Sequence, residues 1–146
     1  MSWTRIGEWL TRLALAGVFL AAAAPKIADP LAFATAIANY RVFPDGLLHV
    51  IATVVPALEL VGALAVLTGW RLRGGAMLLG GLLLAFTVLL AASLARGLDL
   101  DCGCFGRAEQ VEPIGPLHLL RNTALLALVA ILLVVTRRAA VVDPPR

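Results

Sequence analysis

Four long apolar runs, separated by short polar segments, dominate the hydrophobic pattern of the chain. They cover residues of about 5–25, 46–68, 74–97 and 117–137. Each has the roughly 20 residues that a helix needs to cross a hydrocarbon core about 30 Å thick. Hydrophobicity within each run is continuous and does not alternate with a period of two, which argues against β-barrel strands. The pattern therefore predicts an all-α membrane protein with a four-transmembrane-helix bundle.

A shorter apolar segment, DPLAFATAIANYRVFP, lies between the first two runs at residues 29–44. Leu31, Phe33 and Ile37 contribute to its apolar side. Because the segment is too short to span, we predict a short interfacial helix between helices 1 and 2. Pro30 would lie in its first turn, where the missing N–H costs nothing. An ordered loop is the alternative.

Composition agrees with a membrane protein. The 146 residues are 61% hydrophobic and 14% charged, whereas about a quarter of the residues in a soluble domain are charged. We expect residues 1–146 to form a single integral membrane domain in contact with lipid. The first apolar run is expected to be retained as a span and not cleaved. The basic residues are scattered at helix ends, a pattern that does not favour nucleic-acid binding.

The distribution of basic residues predicts the orientation. Seven arginines fall on the side that holds both termini and the loop after helix 2, and four lysines or arginines fall on the other side. Because cytoplasmic loops carry the excess of Lys and Arg, both termini are expected in the cytoplasm. We therefore predict a multi-pass protein of the inner or plasma membrane, with the loop at residues 98–116 extracytoplasmic.

That loop contains both cysteines of the chain, in the sequence GLDLDCGCFGRAE. Cys102 and Cys104 flank Gly103, which supplies the backbone freedom that a tight ring between them needs. A soft-metal site is one interpretation, although zinc takes about four ligands and the chain has only two thiols and two histidines. A structural disulfide is another, although so small a loop removes little chain entropy. We favour a redox-active pair, because strained and exposed disulfides are the labile kind.

Two charged residues lie deep within the predicted helices 1 and 2. Counted at about 1.5 Å per residue from the outer surface, Arg12 and Glu59 reach a similar depth. Ionisable residues within spans usually face the bundle and pair with one another. We therefore predict a structural Arg12–Glu59 ion pair, distant from the cysteines. The alternative is that Arg12 extends to the cytoplasmic surface.

A further polar group is predicted in the outer third of the bundle, beneath the cysteine loop. Its members are Thr53, Ser93, His49, His118, Arg121 and Asn122. Arg121 would stabilise a thiolate, since a nearby cation lowers the pKa of a cysteine, or bind a quinone carbonyl with Asn122 and Ser93. His118 is the candidate proton carrier near neutral pH. His49 is expected to be an interfacial residue without a chemical role.

Four segments together resemble the MauE family of methylamine-utilisation membrane proteins, which are relatives of the DoxX proteins. They are PKIADPLAFATAIANYRVFP, PALELVGALAVLTG, CGCFG and LHLLRNTALL. CGCFG and the RN of the last segment are the most specific parts, whereas Lys-x-x-Asp-Pro and Pro-x-x-Glu-Leu are shared more loosely with DoxX-like proteins. The resemblance implies a role in forming or maintaining disulfides in an exported client, alongside a thioredoxin-like extracytoplasmic partner.

Two cysteines permit one disulfide and no internal relay, so exchange with a partner requires a second electron acceptor. A membrane quinone is the simplest candidate. We therefore expect a membrane thiol–disulfide oxidoreductase whose candidate catalytic residues are Cys102, Cys104, Arg121 and His118. The alternatives are a non-catalytic maturation scaffold, in which the cysteines dock a partner or a metal ion, and a transporter.

Overall fold

The computed structural model describes residues 3–97 and 116–142, with side chains described for 6–97 and 117–136. Every regular element among these residues is a helix. The helices are α1 (Trp3–Ala28), α2 (Pro30–Asn39), α3 (Asp45–Thr68), α4 (Leu72–Ala95) and α5 (Pro116–Val142). Helices α1, α3, α4 and α5 are each long and apolar enough to span a membrane. The predicted membrane fold, four spanning helices with a short apolar helix after the first, is confirmed.

The first helix extends beyond its predicted end. Pro25 lies inside α1, and the backbone N–H of Asp29 donates to the Pro25 carbonyl at 3.0 Å. Proline lacks its own N–H but leaves its carbonyl available as a helical acceptor. Lys26 is one of the four basic residues that the orientation argument counted on the side opposite the termini. It is consequently a helical residue and is buried.

The segment after α1 is a helix, as predicted, because its start is well capped. The Asp29 side chain accepts a hydrogen bond from the backbone N–H of Ala32 at 2.9 Å, and Pro30 lies in the first turn. Both features are typical of helix N-termini. Phe33 and Ile37 are buried on the side of α2 that packs against α3. The loop alternative does not hold.

The four long helices form a closed bundle. α1 packs against α3 and α5, and α4 packs against the same two helices. Arg73, at the start of α4, donates to the carbonyl of Thr136 in α5 at 2.8 Å. Arg12, in the first half of α1, donates to the carbonyl of Val66 near the end of α3 at 2.9 Å. The start of α1, the α3–α4 turn and the end of α5 therefore share one end of the bundle, here called the N-terminal end.

The opposite end, here called the α2 end, brings α2 to the last turn of α4. Arg96, which follows α4, donates to the carbonyl of Tyr40, which follows α2, at 3.0 Å. The chain leaves α4 and enters α5 at this end, and residues 98–115 lie between the two helices in the sequence.

Small residues let α3 and α4 approach each other closely. A Cβ at Gly75 would lie 3.0 Å from the carbonyl oxygen of Gly62 and 2.9 Å from the Cβ of Ala65. Neither atom can move without shifting a helix, so Gly75 has no room for a side chain. This is the close helix approach that small residues permit in membranes.

Candidate functional site

A buried ion pair lies between α1 and α3. The Lys26 ammonium nitrogen, Nζ, is 2.6 Å from Glu59 Oε1, and both side chains are only 3% exposed. Taking two charges out of water is expensive, and hydrogen-bonded pairing at short distance offsets that cost. Lys26 comes from the PKIADP segment and Glu59 from the PALEL segment. The two motifs that are far apart in the sequence therefore meet at this pair.

The predicted Arg12–Glu59 pair is wrong, and the direction of helical side chains explains why. Side chains on a helix lean toward its N-terminus. Since α1 and α3 are antiparallel, the side chain of Lys26 leans toward the N-terminal end of the bundle and that of Glu59 leans toward the α2 end. The two side chains therefore lean toward each other. Arg12 leans away from Glu59, toward the N-terminal end. The predicted pair was chosen by the depth of the Cα atoms alone, which leaves out the displacement of the side-chain charges along the helix axis.

Arg12 instead binds the C-terminus of α3. Its Nε donates to the carbonyl of Val66 at 2.9 Å and its Nη2 donates to that of Leu67 at 3.1 Å. The last carbonyls of a helix carry partial negative charge and favour a cation. The guanidinium also lies 3.6 Å from Glu8 Oε1 and 4.3 Å from the centroid of the Trp9 ring. Arg12 is thus a structural residue, buried at the N-terminal end and not extended to the surface.

Gly69 makes room for this arrangement. It ends α3 with a φ of +78°, a left-handed conformation in which glycine is preferred. A Cβ at this position would collide with the guanidinium of Arg12.

Two aromatic rings enclose the ammonium of Lys26. Its nitrogen lies 5.0 Å from the centroid of Phe33 in α2 and 5.1 Å from that of Phe86 in α4. Both distances fall within the range of a cation–π interaction. Four helices therefore contribute to one charged site: Lys26 from α1, Phe33 from α2, Glu59 from α3 and Phe86 from α4. We call these four residues the buried charge site.

A sequence signal for the buried charge site exists in the spacing of the core positions. The buried positions of α1 recur every three or four residues and continue through Pro25: Arg12, Leu15, Phe19, Ala23 and Lys26. Those of α3 follow the same spacing: Ala52, Pro56, Glu59, Ala63 and Val66. If the spacing of the buried α1 positions is continued past Pro25, it places Lys26 in the core. Nothing in the pattern of either helix identifies Phe33 or Phe86 as a neighbour.

A second polar cluster lies at the α2 end. Besides its bond to Tyr40, the Arg96 guanidinium lies 3.4 Å from Ser93 Oγ and bonds the Ala92 carbonyl at 3.1 Å. Ser93 is fully buried, and its hydroxyl donates to the carbonyl of Leu89 at 2.8 Å. Burial raises the pKa of Tyr40 above its ordinary value, so its phenol stays neutral near pH 7. Arg96 therefore fastens the end of α2 to the end of α4.

The residues predicted to form one outer pocket are distributed over different surroundings. Asn122 is buried and its amide lies 3.4 Å from Thr87 Oγ1 of α4. His118 is half-buried and Arg121 is exposed, both in the first turns of α5. Thr53 and His49 are exposed on α3, where the Thr53 hydroxyl donates to the His49 carbonyl. Asn122 of α5 thus bonds to α4, and Ser93 bonds within α4 and to Arg96. The two candidates on α3, His49 and Thr53, are exposed.

Cys102, Gly103 and Cys104 lie outside the described residues. Their redox role stays a prediction. The described structure adds the surroundings of the chain on either side, namely Arg96 and Gly97 before residue 98 and the start of α5 after residue 115.

Comparison with known proteins identifies relatives along most of the chain. The MauE protein of Paracoccus denitrificans, named a methylamine utilization protein, is 36% identical over 121 residues, which are 82% of this chain and 64% of that protein. The protein of the same name from Methylophilus methylotrophus is 35% identical over 114 residues, 77% of this chain and 60% of that protein. That from Paracoccus versutus is 30% identical over 122 residues, 83% and 65% respectively. The chain thus spans between 60% and 65% of the length of these curated relatives.

No solved structure matches the chain. The family model described as methylamine utilisation protein MauE matches residues 4–135, which cover nearly all of the four spanning helices found in the described residues. With this match and three relatives at 30–36% identity, the chain belongs to the MauE family of membrane proteins.

Proposed function

We propose that this chain is a membrane thiol–disulfide oxidoreductase that matures disulfides in an exported client protein. Cys102 and Cys104 exchange a disulfide with a thioredoxin-like extracytoplasmic partner. The observation that carries the proposal is the Cys-Gly-Cys sequence, set in the segment that joins two spanning helices of a MauE-family chain. Since its relatives are named for methylamine utilisation, we propose that the client serves that process.

The proposed reaction has two balanced steps. The reduced partner gives two electrons and two protons to the Cys102–Cys104 disulfide, so that the partner becomes oxidised and the pair becomes a dithiol. The dithiol then gives two electrons and two protons to a membrane quinone, which becomes a quinol. The Cys102–Cys104 disulfide forms again and the cycle closes.

The polar residues at the α2 end support a reaction near this end of the bundle. Arg121 is exposed in the second turn of α5, shortly after residues 98–115 in the sequence. It is proposed either to stabilise a thiolate or to bind the quinone carbonyl. His118, one turn earlier, is proposed to exchange protons. Ser93 and Asn122 are buried against their own partners.

The distribution of charge supports an inner-membrane orientation with both termini in the cytoplasm. Arg71 and Arg73 lie at the N-terminal end of the bundle with the start of α1 and the end of α5. Asp29 and Asp45 lie at the α2 end. By the excess of basic residues on the cytoplasmic side, the cysteines would then lie extracytoplasmically, where disulfides persist.

Quinone-dependent dithiol oxidation by the purified protein tests the proposal. The protein in lipid nanodiscs would receive a reduced thioredoxin-like protein and a short-chain quinone. We expect one quinol to form for each partner disulfide, since both steps transfer two electrons. Formation of a stable complex without quinol, in lipids of several compositions, would indicate the maturation scaffold instead.

A further inference from the structure

The buried charge site has no task in the proposed exchange, although it lies inside the spans. Ionisable residues at membrane depth are costly and are retained where they serve a function or a necessary contact. Arg12 shows what a purely structural contact looks like in this bundle: its guanidinium meets two helix-terminal carbonyls, a carboxylate and an indole ring. The Lys26–Glu59 pair is less completely bonded.

The unused hydrogen-bonding capacity is on Glu59. Its Oε1 accepts from Lys26, whereas Oε2 is buried and has no hydrogen-bond partner among the described residues. An ionised carboxylate accepts at both oxygens, and a buried acceptor without a partner is destabilising. A bound water or a proton at Oε2 would remove this penalty.

The surroundings of Lys26 allow the site to carry one extra positive charge. When Glu59 is ionised, the pair is neutral; when Glu59 takes a proton, Lys26 alone is charged. The faces of Phe33 and Phe86 then still stabilise the ammonium, because a ring quadrupole attracts a cation whatever the state of the carboxyl. An apolar replacement for these rings would not.

No other charged side chain in the described part of the chain contacts the carboxyl of Glu59. Arg12 binds the C-terminus of α3, Asp29 caps α2, and Arg96 binds the carbonyl of Tyr40. Lys26 comes from α1, while α2 and α4 present the apolar rings of Phe33 and Phe86. The protonation state of Glu59 is therefore set within the buried charge site.

We propose that Glu59 is a proton-binding site inside the bundle. Its Oε2 takes up one proton while Lys26 remains an ammonium, so the site changes from neutral to a net charge of +1. Resting on the proposed function, this proton is one of the two that the dithiol releases and the quinone takes up in each cycle. Glu59 holds it after the dithiol releases it and until the quinone takes it up.

Infrared spectroscopy of the protein labelled with ¹³C-glutamate, in lipid nanodiscs over a pH series, tests the proton site. We expect a protonated-carboxyl band that grows as the pH falls, shifts in D₂O and is absent from Glu59→Gln. Glu8→Gln is the matched control, since Glu8 lies at the other end of the bundle beside Arg12, and it should keep the band.

If Glu59→Gln does not fold, a second variant can be used in its place. Lys26→Met/Glu59→Met removes both charges together and should also lack the band. A titrating band of equal size in the wild type and in this double variant would overturn the proposal, because the signal would then come from another glutamate. The absence of any titrating band in the wild type would also overturn it.

The quinone assay separates this inference from the proposed function. If the Glu59 band titrates but no quinol forms, the proton site stands and the proposed function fails. If quinol forms, we expect the pH profile of the rate to change in the double variant. An unchanged profile at wild-type rate would overturn the storage role of Glu59.

Discussion

Replacing Lys26 with methionine is expected to destabilise the bundle by about 3–5 kcal/mol, because Glu59 is left buried without its partner. The 2.6 Å contact and the 3% exposure of both side chains place the carboxylate beyond the reach of bulk water. Methionine is close to lysine in length, so the loss of charge is separated from a loss of volume. Glu59→Gln should destabilise less, since an amide can still accept from the ammonium.

The double variant Lys26→Met/Glu59→Met is expected to recover most of the stability lost by Lys26→Met. Replacing both members of a buried pair with apolar residues is often neutral, whereas removing one member is not. Titration with sodium dodecyl sulfate in mixed micelles, followed by tryptophan fluorescence, would compare the free energies of unfolding. Glu8→Gln serves as the control for loss of a glutamate charge. If Lys26→Met unfolds at the wild-type midpoint, or if the double variant is no more stable than the single one, the ion pair is not what holds α1 to α3.

Replacing either cysteine with serine is expected to reduce quinone-dependent dithiol oxidation by about 10³-fold or more, as does loss of an essential nucleophile in other enzymes. In the proposed cycle a partner thiol attacks one sulfur of the Cys102–Cys104 disulfide and forms a mixed disulfide there. A single-cysteine variant traps the same mixed disulfide from the reverse direction, because its one thiol can attack the disulfide of an oxidised partner but has no second thiol to release it. One of the two variants, Cys102→Ser or Cys104→Ser, should therefore accumulate a mixed disulfide with the thioredoxin-like protein. The identity of that variant would show which cysteine forms the mixed disulfide with the partner.

The double variant Cys102→Ser/Cys104→Ser is the control and should trap no partner. Non-reducing gel electrophoresis after acid quenching would measure the trapped complex. A single-cysteine variant that matures the client at the wild-type rate would show that the pair does not turn over. The maturation scaffold would then be the better description of this chain.

The spanning helices were predictable because a bilayer imposes both a length and a continuous hydrophobicity on each of them. The short helix α2 was predictable for a local reason: Asp29 and Pro30 make a helix start whatever the helix packs against. The spanning helices and α2 each depend on one segment at a time. The shared N-terminal end follows because successive spanning helices cross the bilayer in alternating directions.

The partner of Glu59 was not predictable by depth alone. The sequence around Pro25 resembles a helix end, yet α1 continues past it. Because the helix continues, the side chain of Lys26 faces the bundle interior and is buried. The direction in which side chains lean then decides between Lys26 and Arg12. The positions of Phe33 and Phe86 depend on how α2 lies across α3 and α4, which is a property of the packed bundle. The spacing of apolar residues within a single helix therefore does not predict these positions.

The thiol state of Cys102 and Cys104 in living cells is the most direct test of the proposed function. Cells would be quenched in acid and the free thiols counted by mass-shift alkylation, with respiration running or blocked. We predict that the pair is mostly a disulfide in respiring cells and becomes a dithiol when the quinone pool can no longer accept electrons. Thiols that stay reduced under both conditions, and that react fully only after a chelator is added, would contradict the redox function and indicate a bound metal.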